Sequence, residues 1–267
     1  MKHTLLSNGR HIACYESGAG GSLPLVLLHG FCEDATLWNG LLPGLQGIHL
    51  LRMDLPGFGG SDLPLASGMD TSADAVCAML NEFSVERCVL VGHSMGGYVA
   101  LEFAAKYPDR LAGLGLVHSH PYEDSPERKD IRRRGIEMVQ SGKRDLYVTQ
   151  LFSSLFAATF AGLHPEIVAA LIENGKRQPA AGIIAALEGM IARRDHTSTL
   201  RSASCPVLFL LGTDDSIIAP ETGLQAAMLP DIADVHVLES IGHMSMYETP
   251  EKTVEIVRSF WEFCGQQ

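Results

Sequence analysis

The hexapeptide G-H-S-M-G-G at residues 92–97 constrains this chain more than any other segment. It contains the pattern G-x-S-x-G, and it lies where the apolar run 89–91 ends and a helical pattern over 98–104 begins. A serine on such a sharp strand-to-helix turn is pushed out above the sheet, where its hydroxyl can act as a nucleophile. The same letters also fit a glycine-rich turn in which Ser94 only caps a helix. The rest of the chain must therefore decide between the two interpretations.

Composition and charge exclude several classes of function. The 267 residues carry a formal charge of −11, which argues against nonspecific binding to nucleic acid or to an anionic membrane surface. No apolar run approaches the roughly 20 residues that span a bilayer, and residues 1–11 show no signal-peptide pattern. The six cysteines include no C-x-x-C pair, so we expect free thiols and a cytoplasmic protein.

Short apolar runs alternate with helical patterns along most of the chain. The predicted strands are 4–6, 11–16, 25–28, 49–53, 88–91, 113–117, 207–211 and 235–238. The first two are joined by Ser7-Asn8-Gly9, which is typical of a hairpin turn. The middle strands are almost wholly apolar, as expected when both faces of a parallel sheet are covered. The sequence therefore predicts an α/β fold with a doubly wound, mostly parallel eight-stranded sheet flanked by helices.

This alternation stops between residues 120 and 204, where the sequence indicates no strand. The predicted helices there are 126–141, 144–160, 165–176 and 180–191. We interpret 120–204 as a helical insertion over the C-terminal edge of the sheet, with 1–119 and 205–267 forming the core. A separate helical domain is the alternative, and the lack of Gly/Ser/Pro-rich linkers beside the segment argues against it.

Two further strand ends carry residues suited to nucleophilic catalysis. The sequence G-T-D-D at 212–215 follows one predicted strand, and His243, preceded by glycine, follows the last one. Open α/β sheets place their sites at the C-terminal ends of strands, so we expect Ser94, Asp215 and His243 to meet. We favour Asp215 as the catalytic acid and assign Asp214 to the turn.

The order Ser94, Asp215, His243, with each residue just past a strand, resembles the α/β-hydrolase fold superfamily over nearly the whole chain. The matching segments are 29–31 (H-G-F), 54–59 (D-L-P-G-F-G), 92–97, 212–215 and 242–243 (G-H). This resemblance implies that the backbone N–H groups of Phe31 and Met95 form an oxyanion hole and that 120–204 is a lid. Members of the fold that act on haloalkanes or epoxides use aspartate as nucleophile, whereas Ser94 indicates acyl chemistry.

These residues predict a serine hydrolase that cleaves a carboxylic ester of a small molecule through an acyl-enzyme. His243 would accept the proton of Ser94, and Asp215 would orient the imidazole. We expect no cofactor, no metal, no nucleic-acid partner and no membrane partner, because the chain supplies nucleophile, base and oxyanion donors. The same residues permit acyl transfer, perhydrolysis, C–C bond hydrolysis, lyase chemistry or ligand reception without catalysis. The sequence does not specify the oligomeric state.

Other residues bear on the substrate pocket. We predict that Trp38, His120 and Tyr122 line it. The H-x-H spacing of 118–120 is usually incidental when no third ligand is near, so we assign it no metal. The basic segment 128–134 (R-K-D-I-R-R-R) has two interpretations: a solvated helix face is the common one, and an arginine that holds a substrate carboxylate is the other.

Overall fold

The strands form one sheet, and its order explains why three distant chain segments meet. The computed structural model describes residues 1–18 and 23–267, and within them the sheet has the order β1-β2-β4-β3-β5-β6-β7-β8. The strands are β1 (Lys2–Ser7), β2 (Arg10–Ser17), β3 (Leu25–Leu28), β4 (Leu50–Met53), β5 (Cys88–His93), β6 (Leu111–Val117), β7 (Val207–Gly212) and β8 (Ala233–Leu238). Strand β2 pairs antiparallel with β1 and β4, and the other pairings are parallel. The predicted eight-stranded, mostly parallel sheet is confirmed.

Burial follows the position of each strand in the sheet. Every residue of β3, β5, β6 and β7 is buried, as parallel strands covered on both faces require. Strand β8, at an edge, instead alternates between exposed and half-buried residues. The hairpin between β1 and β2 turns at Asn8 and Gly9, whose φ angles of 49° and 74° suit a type I′ turn.

Helices cover the sheet and fill the segment between β6 and β7. They are α1 (Met69–Glu82), α2 (Met95–Lys106), α3 (Pro126–Gln140), α4 (Arg144–Ser153), α5 (Ala158–Leu163), α6 (Pro165–Arg177), α7 (Ala180–Ala192), α8 (Thr197–Arg201), α9 (Pro220–Ala227), α10 (Ser245–Glu248) and α11 (Pro250–Cys264). Two 3-10 helices span Ala35–Leu45 and Pro108–Arg110. In the described parts of the chain, no helix combines the length and apolarity needed to cross a bilayer. All six cysteines are unpaired.

The predicted helix 144–160 is wrong, because the chain turns between α4 and α5. We call residues 154–157 the anchor turn, since three of their backbone groups bond to the core. The carbonyl of Ser154 accepts a hydrogen bond from the Ser216 hydroxyl at 2.7 Å, and that of Leu155 accepts one from the His243 N–H at 2.7 Å. The N–H of Ala157 donates to the Glu248 carboxylate at 3.1 Å. These core contacts replace the bonds that would have continued the helix.

Candidate active site

Ser94 occupies a strained turn between β5 and α2. Its φ of 49° and ψ of −113° lie in a region that L-residues rarely adopt. Tight packing holds this conformation: a Cβ on Gly92 would lie 2.2 Å from the carbonyl oxygen of Gly96, so only glycine fits there. The N–H of Ser94 donates to the carbonyl of Val117 at 2.9 Å, which ties the turn to β6. The predicted nucleophile therefore has a fixed backbone.

Asp215 and His243 form a buried pair at the ends of β7 and β8. The Nδ1 atom of His243 lies 2.7 Å from Oδ2 of Asp215. The other carboxylate oxygen, Oδ1, accepts hydrogen bonds from the N–H groups of Ile217 and Ile218. Burial alone would raise the pKa of Asp215, but the charge of His243 and the hydrogen bonds from His118 and His243 hold that pKa well below its usual range. A carboxylate that is ionised near neutral pH thus faces the imidazole.

The neighbouring acid, Asp214, has a different environment. Its side chain is exposed and accepts a hydrogen bond from the hydroxyl of Thr213 at 3.0 Å. Of the two adjacent aspartates, only Asp215 is oriented toward His243.

His118 is a second histidine on the same carboxylate, which the sequence reasoning did not anticipate. Its Nδ1 atom lies 3.1 Å from Oδ2 of Asp215, and its ring is fully buried. Burial, only partly offset by Asp215, lowers the pKa of His118 to about 4, so the ring is neutral near pH 7. The available signal was its position directly after the strand 113–117, which is where the other site residues also stand.

Glu33 and His93 join the serine turn to the histidine loop, and the sequence reasoning missed both. The Nε2 atom of His93 lies 3.0 Å from the carbonyl oxygen of His243, and its Nδ1 atom lies 3.2 Å from Oε2 of Glu33. The same Oε2 accepts a hydrogen bond from the N–H of Gly30 at 2.8 Å. His93, next to Ser94, thereby fixes the backbone of His243. No sequence pattern marks Glu33, since its role depends on a contact 60 residues away.

The backbone N–H groups of Phe31 and Met95 have no hydrogen-bond acceptor among residues 1–18 and 23–267. Within the part of the chain that the structure describes, neither N–H donates a hydrogen bond to another residue. Met95 is the first residue of α2, and the positive end of the helix dipole favours a negative charge at that amide. Both amides therefore have the free donor that an oxyanion site needs.

A cavity of about 440 Å³ lies beside Phe31, Ser94 and His243. Part of its lining comes from Phe31, Glu33, His93, Ser94, Tyr98, Ile217 and His243, and the segment between β6 and β7 contributes residues of α3, α4, the anchor turn and α7. Ser94 and His243 border the same space, but no hydrogen bond joins the Ser94 hydroxyl to the imidazole among the described residues. Such catalytic hydrogen bonds often tighten only when substrate is bound.

Trp38, His120 and Tyr122 do not line this cavity, which corrects the prediction for all three. Trp38 is fully buried in the core, on the 3-10 helix that follows β3. His120 lies against Tyr98, with ring centroids 5.5 Å apart, and stacks on Tyr122. Because Tyr98 itself lines the cavity, the two residues support its wall rather than form it.

Three ligand atoms of His118, Asp215 and His243 lie within 4.8 Å of one another, which is close enough for a metal ion. Both histidines, however, direct Nδ1 at the same carboxylate oxygen. A cation there would compete with the hydrogen bonds that orient His243. The geometry fits a hydrogen-bonded carboxylate better than a metal centre, and His120 of the H-x-H sequence lies outside the cluster.

Buried neutral histidines predict acid sensitivity. Burial lowers the pKa of His118 from 6.5 to about 4 and, with the nearby Arg193, that of His120 to about 3. In the unfolded chain His118 binds a proton near pH 6.5, whereas in the folded chain it binds one only near pH 4. The free energy of unfolding should therefore fall as the pH drops from about 6.5 to about 4. Urea unfolding at about pH 7, 6 and 5 measures this slope.

A His120→Gln variant should show a shallower slope, whereas His164→Gln is a control at a histidine that is 44% exposed. Equal slopes in the parent protein and in the His120→Gln variant would contradict the account.

The chain is similar to known proteins over almost its whole length. The family model of the alpha/beta hydrolase fold matches residues 24–250. The chain is similar to the structure of a thermophilic esterase from Thermogutta terrifontis with malate bound, at 32% identity and a TM-score of 0.92 over 99% of both chains. A 2-hydroxy-6-oxononadienedioate/2-hydroxy-6-oxononatrienedioate hydrolase from Burkholderia vietnamiensis is 28% identical over 92% of this chain and 89% of its own length. Lipase 3 from Moraxella sp. is 25% identical over 97% of this chain and 84% of its own length.

Proposed function

Since the chain belongs to the alpha/beta hydrolase fold family and is an enzyme of that fold, we propose that it is a serine hydrolase that cleaves carboxylic esters of small molecules. The observation that carries the proposal is the buried Asp215–His243 pair, 2.7 Å apart, at the cavity that Ser94 also borders. Similarity to an esterase over 99% of the chain supports the same reaction class.

In the proposed mechanism, Ser94 attacks the ester carbonyl while Nε2 of His243 takes the hydroxyl proton. Asp215 holds Nδ1–H of the imidazole and stabilises the imidazolium that forms. The proton then passes to the leaving alcohol, which departs and leaves an acyl group on Ser94. A water molecule, deprotonated by the same imidazole, attacks the acyl group and releases the carboxylic acid.

The negative oxygen of each tetrahedral intermediate is assigned to the N–H groups of Phe31 and Met95. One such donor is worth roughly a hundred- to a thousandfold in rate. The mechanism needs no cofactor, because these amides, the serine and the histidine supply all its steps. The insertion serves as a lid in this proposal, since α3 and α4 close one side of the cavity, and the protein acts in the cytoplasm on a soluble ester.

Hydrolysis of a C–C bond is the second candidate function. It is favoured by the relative named for a hydroxy-oxo-dienedioate, which is 28% identical over 92% of this chain. Product analysis separates the two candidates: an ester gives an acid and an alcohol, whereas cleavage of a C–C bond yields no alcohol.

Covalent labelling tests the serine chemistry directly. A fluorophosphonate probe should modify Ser94, identified by mass spectrometry, because only an activated serine attacks the phosphorus at useful rates. A panel of 4-nitrophenyl esters from acetate to octanoate should then be hydrolysed. Ser154 also borders the cavity, so a Ser154→Ala variant that still labels at Ser94 is the matched control. Labelling elsewhere, or none together with no ester turnover, would overturn the proposal.

A further inference from the structure

The basic segment 128–134 divides between two faces of α3. Arg128 and Arg132, one helical turn apart, both line the cavity, together with Ile131 and Gly135. Arg133 does not line it and instead pairs with the neighbouring Asp130 on the exposed side of the helix. The second of the two interpretations left open by the sequence therefore has a structural basis, since arginines of α3 line the same cavity as Ser94.

Charge within this wall is not balanced. Arg132 is paired with the buried Asp124, but Asp124 also forms an ion pair with Arg193, whose guanidinium nitrogen lies 2.8 Å from Oδ1. One carboxylate therefore faces two arginines. Arg128 adds a third cation, and its hydrogen bond to the carbonyl of Ile217 is long, at 3.4 Å. This leaves the guanidinium of Arg128 able to bind an anion.

The remaining charges around the cavity do not neutralise these arginines. Glu33 is the one acidic residue among the described residues that line it, and its single negative charge is outnumbered by the lining arginines. Arg134 also lines the cavity and adds positive charge. The pKa of His120 is lowered to about 3 by burial and then by Arg193; Asp124 opposes this shift, and Arg128 and Arg132 lower the pKa further.

Most other residues of the cavity wall are apolar. Ile131, Met138, Leu151, Leu155, Met190 and Ile217 supply this surface. An apolar wall excludes water and strengthens charge–charge attraction inside the cavity. Guanidinium groups also match the planar geometry of a carboxylate with paired hydrogen bonds.

We propose that the cavity selects substrates that carry a carboxylate, which Arg128 and Arg132 bind while the scissile carbonyl lies at Ser94. This inference rests on the proposed ester hydrolysis and names its substrate class: a half-ester of a dicarboxylic acid or a comparable anionic ester. Arg128 is the main specificity determinant, since Arg132 is partly engaged by Asp124.

Paired substrates measure the selectivity. Mono-4-nitrophenyl adipate and 4-nitrophenyl hexanoate have acyl chains of equal length and differ in one terminal carboxylate. The ratio of kcat/KM for the adipate ester to that for the hexanoate ester should fall by about tenfold or more in an Arg128→Gln variant, as expected for a lost charge-assisted contact. Arg128→Lys should restore part of the ratio, mainly through KM. Arg133→Gln, which removes an equal charge from the same helix outside the cavity, should leave both substrates unaffected.

Binding of adipate itself tests the inference independently of turnover. Calorimetry should show one adipate dianion bound by the parent protein, with a dissociation constant at least about tenfold weaker in Arg128→Gln. If no ester is hydrolysed but adipate binds in this way, ester hydrolysis fails and the carboxylate site stands. If esters are hydrolysed but the ratio is unchanged in Arg128→Gln, or adipate binds equally to both proteins or to neither, the carboxylate site is overturned.

Discussion

Replacement of Ser94 by alanine is expected to lower kcat for a 4-nitrophenyl ester by on the order of 10⁴-fold or more, because no other group on the serine turn can form the acyl-enzyme. The imidazole, the carboxylate and the free amides would remain, so a small residual rate over water is expected. The measurement is steady-state kinetics at saturating ester, with active sites counted by fluorophosphonate titration of the parent enzyme.

The fold should survive this change. Alanine and serine have similar volumes, and the side chain of Ser94 is not needed by the hydrogen bonds of its own N–H and carbonyl. Thermal unfolding within a few degrees of the parent protein is the control. A purified Ser94→Ala variant that keeps a rate within tenfold of the parent would exclude a covalent serine mechanism.

Replacement of Asp215 by asparagine is expected to lower kcat by about 10³- to 10⁴-fold. An amide NH₂ facing Nδ1 of His243 would favour the tautomer in which Nε2 carries the proton, and that nitrogen could then no longer accept one from Ser94. The loss should be larger in kcat than in KM, since the carboxylate contacts no substrate. The kinetic experiment is the same one, run with esters of two chain lengths.

Asp214→Asn provides the matched control for this variant. Asp214 is the adjacent carboxylate, but it is exposed and bonds to Thr213 instead of a histidine. Its replacement should leave kcat within about twofold of the parent, because surface carboxylates contribute little. Similar losses in both variants would mean that Asp215 acts through general electrostatics or stability and not through the orientation of His243.

The sheet was predictable because its signals are local. Strands such as Leu25–Leu28 and Val207–Gly212 are continuous apolar runs bounded by turn residues. Such short runs are typical of parallel strands that are buried on both faces. Ser94, Asp215 and His243 could be brought together for the same reason, since parallel strands deliver their C-terminal ends to one edge. This prediction required only the position of each residue at the end of a strand, and no distance between them.

The walls of the cavity were not predictable in this way. Whether Arg128 or Arg133 lines the cavity depends on the rotation of α3, and a helix with cations on both faces gives no periodic signal. His118 is informative only once β6 and β7 are known to be neighbours. The break between α4 and α5 has no local cause either, since its hydrogen bonds go to Ser216, His243 and Glu248, more than sixty residues further along the chain.

The anchor turn has a consequence for how a substrate can enter. The carbonyl of Leu155 accepts the N–H of His243 itself, and the neighbouring backbone of Ala157 packs where a side chain on Gly242 would have to lie. Movement of the anchor turn away from the sheet would break this hydrogen bond to the backbone N–H of His243. The anchor turn is therefore expected to stay docked when a substrate enters, so that opening of the cavity would come from other helices of the segment between β6 and β7, such as α3. Spin labels placed on α3 and on α5 would report unequal motion relative to β8.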